Sequence, residues 1–155
     1  YIYSRQGFNL KITDMQAALG LAQLEKLDEF VKIRRHNFDL LKETLQKHSS
    51  KLILPEATQN AKPSWFGFLI TVKKDAGITR NELVEKLNTK KIATRLLFAG
   101  DLRKQPYFKD FDYRIVGDLP NTDIIVNDTF WIGVTPMIND EMIAYMGKCF
   151  DEILG

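Results

Sequence analysis

Apolar and polar positions along the chain change their spacing from segment to segment, and the changes mark the elements. Residues 17–24, Ala-Ala-Leu-Gly-Leu-Ala-Gln-Leu, are apolar nearly all the way round a helix. A surface helix with a single buried stripe would not look like this, so the helix is expected to be enclosed. Thr13 followed three residues later by Gln16 has the form of a capping box, which starts the helix at Asp14. Further on, Leu27, Val31, Phe38, Leu41 and Leu45 form a one-sided stripe among Lys, Arg and Glu, so this part lies on a surface. A single helix over residues 13–48 would be roughly 50 Å long at about 1.5 Å per residue, and a break or bend is expected near Asp28 or His36.

The spacing then shortens. Leu52-Ile53-Leu54-Pro55 reads as a short extended piece, and the polar run after it as a surface loop. Residues 65–72 alternate, with Phe66, Phe68, Ile70 and Val72 on one face and Trp65, Gly67, Leu69 and Thr71 on the other, which predicts a strand. Thr79 and Glu82 repeat the capping-box spacing before a helix that carries Leu83 and Leu87 on one face and ends around Lys90. A second strand is expected over 92–98, a loop rich in Gly, Asp, Pro and aromatics over 99–113, and a short helix over 119–127 with Pro120 in its first turn. A third strand over 129–134 leads to a final helix capped by Asn139, with Met142, Met146, Cys149, Phe150 and Ile153 facing inward.

This order predicts a small α/β sandwich in which helices cover one face of a three- or four-stranded sheet, preceded by a long helix. A boundary is expected between residues 1–48, an interface segment with the connecting helix, and residues 49–155, the small α/β domain. With 155 residues, 45% hydrophobic and 27% charged, the chain can bury a sizeable core. The net charge of +2 comes from 22 basic and 20 acidic residues that are well mixed, so no basic stripe for nucleic acid forms. No apolar run approaches a membrane span, and a single cysteine points to a reducing cytoplasm. The start at Tyr1, without a methionine and inside a segment that reads as functional, is taken as that of a carboxy-terminal fragment.

Residues 3–18, Tyr-Ser-Arg-Gln-Gly-Phe-Asn-Leu-Lys-Ile-Thr-Asp-Met-Gln-Ala-Ala, join a polar turn to the apolar helix. They resemble the segment of DegT/DnrJ/EryC1/StrS sugar aminotransferases that reaches into a neighbouring subunit's cofactor site. Gly-Asp-Leu-Pro-Asn-Thr-Asp at 117–123 and the strand-turn-helix from Phe130 extend the resemblance over essentially the whole chain. It implies the small C-terminal domain of a fold-type I enzyme dependent on pyridoxal phosphate. Residues 92–108, Ile-Ala-Thr-Arg-Leu-Leu-Phe-Ala-Gly-Asp-Leu-Arg-Lys-Gln-Pro-Tyr-Phe, depart from the aminotransferase pattern, since Arg103 sits where a histidine usually falls. With Pro63-Ser64-Trp65-Phe66-Gly67-Phe68 and Thr129-Phe130-Trp131-Ile132-Gly133, this loop is similar to the dehydrating branch typified by CDP-4-dehydro-6-deoxyglucose 3-dehydratase, which serves 3,6-dideoxysugar and lipopolysaccharide synthesis.

That resemblance implies loss of the C3 hydroxyl from a 4-keto CDP-sugar, with pyridoxamine 5'-phosphate or pyridoxal 5'-phosphate as electron sink. It further implies a homodimer, a histidine base, an iron–sulfur cluster and a partner reductase, with base and cluster ligands upstream of Tyr1. His36, His48 and Cys149 sit on a charged helix face, a helix end and a core stripe, away from such roles. This part alone is therefore expected to be inactive. Asn9 either shapes the turn before the helix or contacts the neighbour's cofactor phosphate. Lys11 is either solvated or a substrate-phosphate contact. Arg95, closing a strand, is either a surface ion-pair partner or a diphosphate clamp, since a planar guanidinium offers two parallel N–H bonds. Arg103 and Gln105 carry the same alternatives. Trp65 and Trp131 read as packing, although a cytosine ring could stack on either. A sugar-nucleotide aminotransferase and a non-catalytic α/β binding module stay open beside the dehydratase.

Overall fold

The computed structural model describes residues 10–98 and 100–155, apart from the side chains of Tyr107 and Lys109. Helix α1 (Asp14–Leu24) starts at the expected capping box: Thr13 N–H donates to Gln16 Oε1 at 2.9 Å and Gln16 N–H to Thr13 Oγ1 at 3.3 Å. A turn at Glu25 and Lys26 separates it from α2 (Leu27–Leu45), so the break falls close to Asp28 and the helix runs on through His36. Four strands follow, β1 (Leu52–Ile53), β2 (Gly67–Val72), β3 (Thr94–Leu96) and β4 (Thr129–Gly133), with α3 (Arg80–Thr89) and α4 (Pro120–Asp128) between them and α5 (Asp140–Leu154) last. The Thr79–Glu82 capping box, Pro120 in the first turn of α4 and the Asn139 cap all form as expected.

The sheet is antiparallel throughout, in the order β1-β2-β4-β3. Phe68 lies opposite Ile132 and Ile70 opposite Phe130, so one face of the central pair is large and apolar. Onto that face pack Phe38, Leu41 and Leu45 of α2, Leu83 and Leu87 of α3, and Ile143, Phe150 and Leu154 of α5. Each fully buried aliphatic or aromatic side chain contributes about 1.5–3 kcal/mol, so this layer dominates the fold. Helix α4 touches β2 and β4 but adds no residue to this core, and α1 buries none of its side chains. Both helices are therefore outside the layer that holds the domain together.

Polar side chains on α2 complete the frame. Arg34 Nη1 donates to the carbonyls of Trp65 at 2.9 Å and Val134 at 2.8 Å, and buried Asn37 Nδ2 donates to those of Thr135 and Ile138. They hold the chain just before β2 and just after β4, where the ladder no longer satisfies it. Both histidines are taken up similarly. His36 Nε2 lies 2.8 Å from Asp140 Oδ1, and buried His48 Nε2 lies 2.8 Å from Asp151 Oδ1, with Lys47 on the other oxygen at 2.6 Å.

The structure departs from the sequence pattern at three places. Ahead of Gly67 the alternation slips by one residue: Trp65 stacks on core Phe38 at 4.1 Å between ring centroids, and Phe66 turns to the opposite face against Trp131. The second strand keeps only Thr94–Leu96, because Ile92 N–H is still tied to the Leu87 carbonyl of α3 and Phe98 turns the chain sharply with a φ of 49°. On α5 the inward stripe includes Ile143 and Gly147, while Met142 is 49% exposed. A glycine carries no apolar side chain to announce a contact. Here a Cβ on Gly147 would stand 2.4 Å from Thr44 Cγ2, so its absence is what lets α5 cross α2 closely.

Gly147→Ala is expected to destabilise the domain by about 1–3 kcal/mol, overpacking outweighing the gain in helix propensity. Thr44→Ala in the same chain should recover most of the loss. Denaturant unfolding of the four members of this cycle is the measurement, and additive effects would show that the Thr44 contact is not the cause.

Candidate functional site

Two polar features stand outside the core. The first is Arg95, at the centre of edge strand β3 and opposite Trp131 in the register. Its side chain is exposed and lines the cleft between α3 and β3, a space of about 710 Å³ shared with Asn81, Glu85 and Asn88. Among the described residues it has no hydrogen-bond or ion-pair partner, so a cation stands free on a rigid backbone. Trp131 is fixed beside it by Nε1–H donating to the Leu96 carbonyl at 3.1 Å. The indole lies over Gly67, where an added Cβ would come within 2.5 Å of the ring. With Phe66, Leu69, Leu97 and Phe98 it lines an apolar hollow of about 280 Å³.

The second feature is the loop after β3. Gly100 turns it with a φ of 66°, and an added Cβ would meet Val126 of α4 at 3.0 Å. Asp101 caps the short helical turn that follows (Leu102–Lys104), its Oδ1 accepting from Arg103 N–H at 3.0 Å. The same carboxylate receives Arg103 Nε at 2.8 Å on Oδ1 and Arg103 Nη2 at 2.5 Å on Oδ2. Lys104 Nζ sits 3.9 Å from Asp101 and 2.8 Å from Asp123 of α4, which ties the turn to that helix. Hydrogen bonding from the Arg103 side chain holds the Asp101 carboxyl below its ordinary range, against the opposing effect of burial. The Arg103 guanidinium is raised in turn by the same contact.

Of the residues singled out in the sequence, Arg95, Arg103 and Gln105 are thus placed along β3 and the loop that leaves it. No hydrogen bond or ion pair joins Arg95 to the Arg103 cluster among the described residues. Lys11 is exposed, two residues before the Thr13 cap. Asn9 lies outside the described residues. Trp65 is partly buried and packs against the core, Trp131 stands on the opposite sheet face, and Cys149 is buried. Asp101 was not recognised from sequence. Its signal was an Asp two positions before an Arg, directly after a glycine, which is the spacing of a side-chain-capped turn.

No buried side-chain nitrogen or oxygen lacks a hydrogen-bond partner among the described residues, and none of their His, Cys, Asp and Glu side chains gather into a metal-binding group. The buried polar side chains are therefore satisfied. Among the described residues they leave no cradle for the phosphate of pyridoxal phosphate. What the described surface offers is an exposed cation at Arg95 and an aromatic hollow beside Trp131. No described helix is long and apolar enough to cross a membrane.

Residues 1–151 match the model of the DegT/DnrJ/EryC1/StrS aminotransferase family, and the chain belongs to that family. It is 56% identical over its whole length to the lipopolysaccharide biosynthesis protein RfbH of Salmonella typhimurium, of which it covers 36%. Over 99% of its length it is 47% identical to dTDP-4-dehydro-2,6-dideoxy-D-glucose 3-dehydratase of Saccharopolyspora spinosa, covering 33% of that protein. The chain thus spans about a third of the length of the curated relatives it matches. Among solved structures, an E. coli GDP-4-keto-6-deoxy-D-mannose-3-dehydratase with bound hydrated pyridoxal phosphate superposes with a TM-score of 0.85 at 29% identity, over 96% of this chain and 38% of that one. The fold is that of this part of a family dependent on pyridoxal phosphate.

The Asp101 ion pair has a defined pH signature. An unfolded aspartate titrates near 3.9, and the folded value is lower, so the pair contributes fully above about pH 5 and its contribution is lost as pH falls from about 4 through the folded value. The stability difference between the natural chain and Asp101→Asn is expected to shrink on acidification across that window. Denaturation midpoints from pH 7 down to pH 3 read it, and a pH-independent difference would show that the carboxylate's charge is not the source.

Proposed function

We propose that the protein carrying this chain is a pyridoxamine- or pyridoxal-phosphate-dependent 3-dehydratase of a nucleotide-linked 4-keto-6-deoxysugar, and that this part supplies substrate contacts. The observation that carries the reading is the 47% identity, over nearly the whole chain, to an enzyme named as a 3-dehydratase. The likeness to a lipopolysaccharide biosynthesis protein supports a CDP-4-dehydro-6-deoxyglucose substrate on the way to a 3,6-dideoxysugar. In this reading the cofactor supplies the electron sink for loss of the C3 hydroxyl. The free guanidinium of Arg95 holds the diphosphate, Arg103, Gln105 and Lys11 add polar contacts, and Asn9 meets the cofactor phosphate of a neighbouring subunit. An iron–sulfur cluster and a partner reductase belong to the same reading, with ligands on residues outside this chain. The family's aminotransferases support a second reading, transfer of an amino group to C4 of the same class of sugar.

Product analysis separates the two. The whole protein, given its cofactor, a reductant and CDP-4-dehydro-6-deoxyglucose, is expected to release a sugar that has lost its C3 oxygen. A 4-amino sugar formed with glutamate as donor would instead establish the transaminase. Arg95→Ala should raise KM about tenfold or more, as expected for loss of a charge-assisted hydrogen bond, with a smaller effect on kcat. An unchanged KM would remove Arg95 from the site.

Helix α1 supports the homodimer. Met15, Leu19, Leu21 and Leu24 are 65–83% exposed, an apolar surface of the kind that marks an interaction site. In the proposed assembly residues 1–48 form the interface that covers it. The chain by itself is expected to self-associate, with a weight-average mass that rises with concentration in sedimentation. Leu19→Glu together with Leu24→Glu should abolish the rise, and a natural chain that stays monomeric throughout would overturn the assignment of this surface.

A further inference from the structure

A guanidinium has two edges that can each offer a pair of parallel N–H groups, one made by Nε and Nη2 and the other by Nη1 and Nη2. In Arg103 the first edge is taken up by Asp101, with Nε 2.8 Å from Oδ1 and Nη2 2.5 Å from Oδ2. Asp101 is only 5% exposed and is itself held by the backbone N–H of residue 103. The second edge makes no hydrogen bond or ion pair with another described residue, and Arg103 is partly open to solvent, its side chain 26% exposed. Lys104 reaches from the same turn to Asp123 of α4, so the turn that carries the pair is anchored. An arginine side chain free in a loop would sample many rotamers and would lose that freedom on binding an anion. Held by one edge, Arg103 has already lost most of it.

We propose that Asp101 is a positioning residue, which grips Arg103 by its Nε–Nη2 edge so that the outer Nη1–Nη2 edge is presented as a preformed two-donor fork for a phosphate group of the nucleotide-linked substrate. The inference rests on the substrate reading above. It adds what the loop does for that reading: it fixes the direction of a donor pair that a lysine could not form. It also separates the two arginines by design. Arg95 is aimed by a strand, whereas Arg103 is aimed by a carboxylate.

The test uses the whole protein loaded with cofactor and has two readouts, steady-state kinetics and the affinity for CDP measured calorimetrically without turnover. Asp101→Asn preserves the side chain's shape but turns one oxygen into a donor facing Nη2. It is expected to raise both KM and the Kd for CDP about tenfold while kcat stays within about twofold. Arg103→Ala should do the same, and the double variant should be no worse than Arg103→Ala alone, because the aspartate has nothing left to aim. Arg103→Lys keeps the charge and should still lose affinity, which tests the fork even if Asp101→Asn folds poorly. Unchanged or tighter CDP binding in Asp101→Asn, with weakened binding in Arg103→Ala, would overturn the positioning role and leave the substrate reading standing. Unchanged CDP binding in Arg103→Ala would overturn the contact itself. Because CDP affinity is read without turnover, loss of the dehydratase reading through product analysis would not by itself decide the outcome here.

Discussion

The rest of the domain depends on the sealing of one sheet face. Phe68, Ile70, Phe130 and Ile132 project from two paired strands onto Leu41, Leu45, Ile143 and Phe150, and none of these side chains is more than 1% exposed. Interiors packed this way tolerate neither voids nor extra atoms, which explains why α5 carries a glycine where it crosses Thr44. Once that layer is complete, the opposite sheet face and the loop beyond β3 are free to carry residues that the core could not accommodate. Arg95, Trp131, Asp101 and Arg103 all lie in those places. The division is spatial, since the core lies on one side of the sheet and the exposed cations and aromatics lie elsewhere.

The polar groups follow the same constraint. Arg34 and Asn37 lie on a helix face that otherwise packs the core, and their cost of burial is offset because they bond carbonyls that the sheet cannot reach. They fix where β2 begins and where β4 ends. Trp131 and Arg95 face each other across β4 and β3, so the aromatic surface and the free cation inherit their spacing from the register. Arg103 cannot inherit its position in this way, because the ladder has already ended at Leu96. The loop uses a carboxylate, a glycine turn and a lysine tether to α4 instead.

Much of the fold was legible in the sequence because its signals are local. Capping boxes at Thr13 and Thr79, the Asn139 cap and the alternation from Gly67 to Val72 depend on neighbours three or four residues away, and each formed in place. The departures have tertiary causes. Trp65 abandons the alternation because Phe38, on a distant helix, offers it a stacking surface. Gly147 faces the core without an apolar side chain to reveal it, and Ile143, not its neighbour Met142, takes the inward position. Of the site, the residue types were legible and their partners were not. A sequence shows that Arg95 and Arg103 are present, but not that one is unpaired while the other is already held by Asp101. Asn9, read from the segment over residues 3–18, falls outside the described residues.

That difference between the arginines bears on how this surface can meet a charged ligand. A cation paired with a buried carboxylate contributes less net charge than a free one, so the Asp101–Arg103 pair adds little to long-range attraction. What it can add is direction, since a fork fixed in space would accept a phosphate in few orientations. Arg95 is the reverse, unpaired among the described residues and exposed, and suited to attraction and first contact. A ligand with two linked phosphates presents charge to be drawn in and oxygens to be oriented. The two arginines differ in the way those two tasks require, and the difference arises because one sits on a strand ordered by the core and the other on a loop that had to order itself.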